Sequence, residues 1–292
     1  MKLALGTAQF GMPYGITNRT GQLTQAQTAD VLSLAYAQGI SVLDTAMAYG
    51  DAESRLGNTG VQHFQVVTKL SQIPLFPPAE VTDAGTWAKE QFAASLQRLR
   101  LSSVYGLLLH RPSDLLGQHG KVLLRTVQEL QDKGLVEKLG VSVYSPTELE
   151  PLLKLAKWDL VQAPLNLIDR RLQTSGWLQR LKDSGVEVHT RSAFLQGLLL
   201  THPSALPSQF APWSGLWRAW DKWQLDTGCS ALAACLAYPQ SFPEVDKVVV
   251  GVSGLDDFQK ILLALRASAP EHWPHTGSDD EMLINPSQWG GH

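Results

Sequence analysis

Short apolar segments alternate with longer amphipathic segments along the chain, and this alternation constrains the fold more than any other feature of the sequence. The apolar segments are at most eight residues long and rich in Val and Leu: Leu3–Gly6, Val42–Thr45, Gln65–Lys69, Val104–His110, Val136–Val143, Leu160–Ala163, Val186–Arg191 and Val248–Val252. Near-continuous apolar runs of this length are typical of strands buried on both faces, as in parallel sheets. The sequence therefore predicts eight parallel strands.

Helical patterns lie between the apolar segments. They are predicted over Thr24–Gly39, Trp87–Leu101, Lys121–Lys133, Pro146–Leu155, Leu172–Ser184 and Leu255–Ala267. Three helices end in a glycine directly before the next strand, namely Gly39, Gly134 and Gly185. Glycine readily adopts the left-handed conformation that closes a helix. Parallel strands need crossovers of this length, which are usually helical.

Eight strand–helix units without a linker predict a single (β/α)8 TIM barrel over about residues 3–267, within one domain that covers residues 1–292. The competing fold is a doubly wound open sheet. Such a sheet often carries a G-x-G-x-x-G fingerprint after its first strand. Here the first strand continues as Gly6-Thr7-Ala8-Gln9-Phe10-Gly11, which does not match that fingerprint. The barrel is therefore favoured.

Composition excludes several classes of protein. Hydrophobic residues make up 44% of the 292 residues and charged residues 17%, with a net charge of −3, so neither a disordered chain nor a basic nucleic-acid-binding protein is expected. The two cysteines cannot form a disulfide framework or a four-cysteine zinc site. No run of 18 apolar residues occurs, and polar residues interrupt the N-terminal apolar run. We expect a cytoplasmic monomer without a membrane or nucleic-acid partner.

Two regions lie outside the repeating pattern. Residues 200–228 contain four tryptophans, and the spacing of Trp213, Trp217 and Trp220 is helical, which favours an aromatic face in the core over a lid above a ligand pocket. The C-terminal tail, residues 268–292, is rich in Gly, Pro, Asp and Trp. It either folds back on the barrel as a loop or is partly disordered.

Side chains with acid–base chemistry stand at the predicted strand ends, where barrel enzymes place their active sites. These are Asp44, Tyr49, Lys69 and His110. The sixth and seventh strands add polar groups at the same rim: Gln162, Asn166, Arg191 and Ser192. Each residue alone has an ordinary structural role, as a turn, rim or surface residue. Their common location at one rim is what favours a functional site.

The charges of this group predict a mechanism for activating Tyr49. Burying Lys69 at the end of an apolar strand costs free energy unless a carboxylate pairs with it, and Asp44 lies on the adjacent strand. A neighbouring cation favours the phenolate, so we expect the pKa of Tyr49 to be lowered. The residues alone allow carbonyl reduction with Tyr49 as general acid, or Schiff-base catalysis at Lys69. No cluster of side chains has metal-ligand spacing, so no metal is expected.

Residues 44–57 carry a motif that resembles the aldo-keto reductase family. The motif is Asp44-Thr45-Ala46-Met47-Ala48-Tyr49-Gly50 followed by Glu53, Leu56 and Gly57, and it is joined by Val67-Thr68-Lys69 and Leu109-His110. The resemblance extends from Leu5 to about Leu265. It implies that Asp44, Tyr49, Lys69 and His110 are the catalytic tetrad of a barrel that binds a nicotinamide cofactor in an extended form.

The same resemblance implies which residues hold the cofactor. They are Gly6, Thr7 and Asp44 near the first two strands, Ser142 and Gln162 at the carboxamide, Arg191 at the nicotinamide ring, Ser192, Ala193, Leu195 and Gly197 along the pyrophosphate, and Gly251, Ser253 and Asp257 at the adenosine phosphate. A helix N-terminus after Ser253 offers N–H groups to an anion. We expect NADPH to be preferred over NADH. The margin should be modest, because the carboxylates of Asp256 and Asp257 oppose binding of the 2′-phosphate.

Several positions depart from the family's usual residues. Val143 replaces an asparagine, Arg191 replaces the aromatic residue that stacks on the nicotinamide, and Ile261 replaces the second adenine-binding residue. Asp257 likewise replaces a glutamine at the adenine. The first strand starts at about Leu3, which leaves no room for the hairpin that closes the barrel bottom in the family.

The resemblance implies an NADP(H)-dependent oxidoreductase that reduces a small aldehyde or ketone to an alcohol, with Tyr49 as general acid. A sugar-like carbonyl compound would suit the short loop that follows His110. Two alternatives are a cofactor-binding regulatory subunit resembling potassium-channel β-subunits and a Schiff-base aldolase at Lys69.

Overall fold

Eight parallel strands form a closed barrel in the computed structural model, which describes residues 1–73 and 83–289. The strands are β1 Leu3–Gly6, β2 Val42–Asp44, β3 Gln65–Leu70, β4 Val104–Leu109, β5 Val136–Ser142, β6 Leu160–Pro164, β7 Glu187–Arg191 and β8 Lys247–Gly251. Strand β8 pairs with β1 through Leu3 and Val248, so the sheet has no open edge. The (β/α)8 barrel predicted from the sequence is confirmed. The first and last residue of each strand lie within one residue of their predicted positions.

Helices surround the barrel. They are α1 Ala8–Gly11, α2 Gln25–Ala37, α3 Ala52–Thr59, α4 Ala84–Leu99, α5 Gly120–Asp132, α6 Leu149–Leu155, α7 Arg171–Thr174, α8 Trp177–Asp183, α9 Ser214–Thr227, α10 Ala231–Gln240, α11 Leu255–Ala264 and α12 Glu281–Ile284. Short 3₁₀ turns occupy Pro112–Leu116, Pro146–Glu148, Leu195–Leu200, Pro203–Ala205, Ser208–Trp213 and Pro286–Gln288. Within the described residues, no helix is long and apolar enough to cross a membrane.

Five of the six predicted helices are confirmed as single helices, namely α2, α4, α5, α6 and α11. The single helix predicted over Leu172–Ser184 is two helices, α7 and α8, because Gly176 between them adopts a positive φ of 77°. The sequence also gave no signal for α3 and α10. Helix α10 is mostly alanine and leucine and is buried on several faces, so it lacks the amphipathic period that marks a surface helix.

The alternation of side chains along each strand decides what faces the barrel interior. An apolar layer of Ala4, Val42, Val67, Leu108, Leu160 and Val249 fills the middle of the barrel. Residues two positions further along a strand face the same way, so the next layer toward the carboxyl ends contains Gly6, Asp44, Lys69, His110, Gln162 and Gly251. The polar rim is therefore built directly on an apolar floor.

The tryptophan-rich segment and the tail pack against each other. Trp217 and Trp220 of α9 are buried, and their indole N–H groups donate to the carbonyls of Phe210 and Leu199 at 3.1 Å each. In the tail, Trp289 is buried with its ring edge-on to Phe210 at 5.0 Å between centroids. These tryptophans form a core face, as predicted. The tail up to residue 289 folds back on the loop after β6 and contains the short helix α12.

A buried carboxylate joins α3, β3 and α4. The Glu53 side chain accepts from Thr68 Oγ1 at 2.7 Å, from Ser95 Oγ at 2.6 Å and from Arg98 Nε at 2.8 Å, while only 1% of Glu53 is exposed. Removing the carboxylate would remove all of these hydrogen bonds together. Glu53 therefore holds the helix that follows the Tyr49 turn against the barrel.

We predict that Glu53→Leu lowers the free energy of unfolding by about 3 kcal/mol or more, because it leaves buried hydroxyls and a guanidinium without their acceptor. Urea unfolding followed by circular dichroism measures this loss. Glu150→Leu is the control, since Glu150 bridges Lys154 and Arg180 on the surface and exposed pairs contribute about 1 kcal/mol or less. Equal losses in the two variants would contradict the assigned role of Glu53.

Candidate active site

The turn after β2 presents Tyr49 at the barrel mouth. Gly50 has a positive φ of 55°, and the backbones of Gly11 and Gly50 approach so closely that a Cβ on either would collide with the other loop's backbone. The N–H of Ala52 then donates to the Tyr49 carbonyl at 3.0 Å as α3 begins. Two glycines thus fix the position of the Tyr49 turn, and the sequence analysis had not singled out Gly11 for this role.

A buried ion pair lies beneath Tyr49. The Lys69 ammonium is 2.7 Å from Asp44 Oδ2, 2.9 Å from the Thr45 carbonyl and 3.4 Å from the Tyr49 hydroxyl. Lys69 is 1% exposed and Asp44 4%. The structure therefore brings Asp44, Lys69 and Tyr49 into direct contact, and the ion pair is formed as expected.

Polar contacts extend the pair across the rim. Gln162 Nε2 donates to Asp44 Oδ1 at 2.6 Å, and Ser142 Oγ donates to Gln162 Oε1 at 3.4 Å. Both oxygens of Asp44 are thus engaged, one by the ammonium and one by the amide. Ser142 and Gln162, which are predicted to bind the carboxamide, are buried, and their hydrogen bonds continue from the ion pair.

The direction of the Tyr49 pKa shift is opposite to the expectation from the sequence. Burial raises the pKa of the Tyr49 phenol above its ordinary value, the charge of Asp44 raises it further, and the Arg191 cation partly offsets both effects. The expectation of a lowered pKa was wrong because it weighed the neighbouring cation and not the loss of water around the phenolate. Tyr49 therefore keeps its proton at neutral pH.

His110 is held in its neutral form. Burial has the largest effect on His110, and together with the positive charges of Lys69 and Arg191 it lowers the pKa to about 4 against the opposing effect of Asp44. Its ring is edge-on to Tyr49, with 6.0 Å between the ring centroids. A neutral imidazole carries one N–H donor, so His110 can donate a hydrogen bond beside the Tyr49 hydroxyl.

Burial also acts on Lys69. It lowers the pKa of the ammonium, while the charge of Asp44 and its hydrogen bond raise it. The pKa of Lys69 is lowered overall, and Asp44 opposes this effect of burial, which is the role that the sequence assigned to it.

The loop after β7 is strained and crosses toward the loop after β1. Ser192, Leu195, Gln196 and Gly197 all have positive φ, at 63°, 47°, 53° and 92°. Gln196 Oε1 accepts from the Ile16 N–H at 3.2 Å, and the Gln196 carbonyl accepts from Thr17 Oγ1 at 3.2 Å. Strain of this kind is retained where the surrounding structure enforces it, and it concentrates at functional sites. Because β8 lies between β1 and β7, the contact passes above the end of β8.

The other residues predicted in this loop take different positions. Ala193 and Leu195 are buried in the hydrophobic core, and the structure presents almost none of their surface to a ligand. Gly197 lies against Thr17, where no side chain would fit.

A buried polar atom without a partner among the described residues lies at the ends of β1 and β8. Gly6 and Gly251 are paired across the two strands, and Thr7 Oγ1 donates to the Asp44 carbonyl at 3.0 Å. A Cβ on Gly251 would lie 2.6 Å from Gln9 Oε1, a buried oxygen that has no hydrogen-bond partner within the described part of the chain. The small glycines and the unsatisfied oxygen fit a site for a polar ligand, and sequence analysis had not identified Gln9.

The start of α11 is occupied by one of its own carboxylates. Asp257 Oδ2 accepts from the Ser253 N–H at 2.9 Å and from Ser253 Oγ at 3.0 Å. These are the donors that the resemblance assigns to the adenosine phosphate. An incoming phosphate therefore has to displace the Asp257 carboxylate.

Arg191 lies at the end of β7, at the same rim, and its guanidinium contacts groups from neighbouring loops. One terminal nitrogen donates to the Val143 carbonyl at 3.0 Å, the other to Ser192 Oγ at 3.2 Å, and the guanidinium lies 4.5 Å above the centre of the Tyr144 ring. Below it, His189 is fully buried and bonds Glu187 Oε1 through Nε2 at 2.6 Å. Across residues 1–73 and 83–289, no group of three His, Cys, Asp or Glu side chains is arranged to hold a metal ion.

Solved structures share the fold over most of the chain. An aldo-keto reductase from Bacillus halodurans, AKR11C1 in its holo form, is 19% identical with a TM-score of 0.70, covering 92% of this chain and 87% of that one. The glycerol dehydrogenase AKR11B4 from Gluconobacter oxydans is 20% identical with a TM-score of 0.69, covering 92% and 87%. At this level of identity the likeness concerns the fold.

Curated relatives are similar over part of their length. The uncharacterized oxidoreductase YtbE of Bacillus subtilis is 26% identical over 183 residues, which are 61% of this chain and 62% of that protein. The uncharacterized oxidoreductase Rv2298 of Mycobacterium tuberculosis is 30% identical over 171 residues, which are 56% and 46%. The chain thus spans about half to three fifths of these relatives.

A family model describes nearly the whole barrel. The model of the aldo/keto reductase family matches residues 2–271, which include the Asp44–Lys69 pair, Tyr49 and His110. This chain is therefore a member of the aldo/keto reductase family.

Proposed function

We propose that this chain is a nicotinamide-dependent reductase of aldehydes or ketones in which Tyr49 is the general acid. The observation that carries the proposal is the protonated Tyr49 hydroxyl 3.4 Å from the ammonium of Lys69, which is itself paired with buried Asp44. Family membership and the relatives that are named oxidoreductases support the same activity.

The reaction needs one proton for each carbonyl that is reduced. When bound, the reduced nicotinamide supplies a hydride to the carbonyl carbon, and negative charge develops on the carbonyl oxygen. Tyr49 donates its proton to that oxygen. The phenolate left behind faces Lys69, whose positive charge stabilises it. The raised pKa of Tyr49 keeps the proton in place until charge develops on the substrate.

His110 orients the substrate in this proposal. Because its pKa of about 4 leaves the ring neutral at pH 7, its single N–H can donate to the carbonyl oxygen next to Tyr49. Donation by two groups to one oxygen stabilises the charge that develops there. A charged imidazolium at this place would compete with Tyr49 as the proton donor.

The cofactor site proposed here follows the rim from Ser142 to Asp257. Ser142 and Gln162 would bind the carboxamide, and the Ser192–Gly197 loop would cover the pyrophosphate. Gly6, Thr7, Gly251 and Ser253 would line the path to the adenosine. The unsatisfied oxygen of Gln9 beside Gly251 supports a polar ligand at this position. A sugar-like substrate, the monomeric state and the cytoplasmic location remain predictions from the sequence.

The preference for NADPH over NADH is the finer part of the proposal. The N-terminus of α11 and Lys260 favour the additional 2′-phosphate, whereas Asp257 already holds both donors of Ser253. We therefore expect the NADPH preference to be small and Asp257 to be the residue that limits it.

The first test removes only the hydroxyl of Tyr49. Tyr49→Phe should lower turnover about 100-fold or more, the scale of general acid catalysis, while the nucleotide still binds. Consumption of reduced nicotinamide with an aromatic aldehyde measures turnover, and fluorescence titration measures nucleotide binding. Tyr36→Phe is the control, since Tyr36 is 61% exposed on α2. Near-normal turnover in Tyr49→Phe would refute the mechanism, and borohydride trapping at Lys69 would then identify the aldolase alternative.

The second test concerns pH. A cation favours the phenolate, so Lys69→Met should raise the pKa of Tyr49 further and move the alkaline fall of kcat to higher pH, along with a large loss of rate. Asp44→Asn should lose less rate, because Asp44 acts through Lys69. The double variant Asp44→Asn/Lys69→Met avoids leaving a carboxylate buried and unpaired. An alkaline limb that stays in place in every variant would mean that Lys69 does not act on Tyr49.

The third test concerns the nucleotide. Asp257→Asn removes a carboxylate from the proposed phosphate site, and we expect it to raise the ratio of kcat/KM for NADPH to that for NADH by about tenfold. Asp226→Asn is the control, because Asp226 pairs with Lys222 on exposed α9. A wild-type preference for NADH at both low and moderate salt would refute the NADPH prediction.

A further inference from the structure

Arg191 is a cation at the barrel mouth that no carboxylate neutralises. Its guanidinium contacts the Val143 carbonyl, the Ser192 hydroxyl and the Tyr144 ring, all of which are neutral groups. In the part of the chain that the structure describes, no Asp or Glu oxygen lies within 4.0 Å of it. These contacts fix the position of the guanidinium and leave its charge uncompensated.

The direction of Arg191 follows from the strand pattern. The inward-facing side of β7 carries Glu187, His189 and Arg191. Val188 lies between them on the opposite side and packs against the helices. The charge of Arg191 lowers the pKa of Tyr49 and contributes to the lowered pKa values of Lys69 and His110. Arg191 therefore lies on the inward-facing side of β7, at the rim that carries the groups that would handle the carbonyl.

The other cations at the rim have carboxylate partners, and the imidazole there is neutral. Lys69 is paired with Asp44, and His110 is neutral at pH 7. Arg171, which donates to the Tyr144 carbonyl, is paired with Asp169 and Glu281. Arg111 on the opposite side is paired with Asp114. Among these groups, Arg191 is the cation that has no carboxylate of the described residues within 4.0 Å.

We infer that Arg191 selects carbonyl compounds that carry an anionic group, a carboxylate or a phosphate, near the reacting carbon. A guanidinium has five N–H donors, and Arg191 uses two of them on neutral acceptors. Its planar face lies on Tyr144, which leaves its edge to bind an anion in the forked geometry that arginine favours. This inference rests on the proposed reductase activity.

The test compares matched aldehydes that differ in charge. One pair is 4-carboxybenzaldehyde and its methyl ester, and the other is 4-formylphenyl phosphate and 4-methoxybenzaldehyde, so the two arms separate carboxylate from phosphate. Wild-type enzyme should favour the anionic member of at least one pair by about 10- to 100-fold in kcat/KM, the scale of a charge-assisted hydrogen bond. Each pair shares the same cofactor, so an effect of Arg191 on the cofactor cancels in the ratio.

Substitutions then assign the preference. Arg191→Met should reduce the ratio to about one, and Arg191→Lys should keep part of it, since lysine retains the charge without the fork. Arg266→Met is the control, because Arg266 is exposed after the C-terminus of α11 and helices of this barrel end at the opposite rim. The ratio should not change in that variant.

A binding measurement separates this inference from the proposed activity. Calorimetric titration should show that benzoate binds wild-type enzyme more tightly than benzamide does, and that Arg191→Met loses the difference. Turnover of neutral aldehydes without an anionic preference, or a preference that survives in Arg191→Met, would overturn the inference and leave the reductase proposal standing. Absence of turnover with every aldehyde and both nucleotides would refute the proposed function, while benzoate binding would still decide the role of Arg191.

Discussion

The buried pair between Lys69 and Asp44 is the interaction on which the rest of the site depends. Removing both charges from water costs several kcal/mol for each ion, and the cost is offset only when the remaining hydrogen-bonding positions are filled. Here the Thr45 carbonyl and the Gln162 amide fill them. The pair thereby ties the ends of β2, β3 and β6 together and places an ammonium directly below Tyr49. Breaking one member would leave a buried charge without a partner.

The surroundings of the ion pair set the protonation states of Tyr49 and His110. Tyr49 is protonated because burial and Asp44 oppose the phenolate, and His110 is neutral because burial, Lys69 and Arg191 oppose the imidazolium. Both groups are hydrogen-bond donors at neutral pH. A carbonyl oxygen between them would meet two donors and a nearby cation, which is the arrangement that stabilises a developing alkoxide.

The two candidate anion-binding positions at the rim, Arg191 and the start of α11, differ in whether a carboxylate already occupies them. At the mouth, Arg191 has no carboxylate partner in the described structure and can accept an anion. At the start of α11, Asp257 already occupies the N–H and hydroxyl of Ser253. In the proposed complex, the same barrel would offer a positive group with no carboxylate partner among the described residues near the reacting centre and a self-occupied anion site near the adenosine. Preferences for the substrate and for the nucleotide can therefore change independently.

The sequence alone determined the barrel and the placement of Asp44, Tyr49, Lys69 and His110 at one rim, and the resemblance implies their role as a tetrad. Each strand is a local apolar run, the side-chain period of two sets which residues face inward, and the motif from Asp44 to Tyr49 is contiguous. Tertiary structure alone decided the direction of the Tyr49 pKa, the Gly11–Gly50 contact, the orphaned oxygen of Gln9 and the Asp257–Ser253 contact. These depend on burial and on distances between side chains from separate loops. A sequence records neither quantity, because both arise only once the barrel has closed and excluded water.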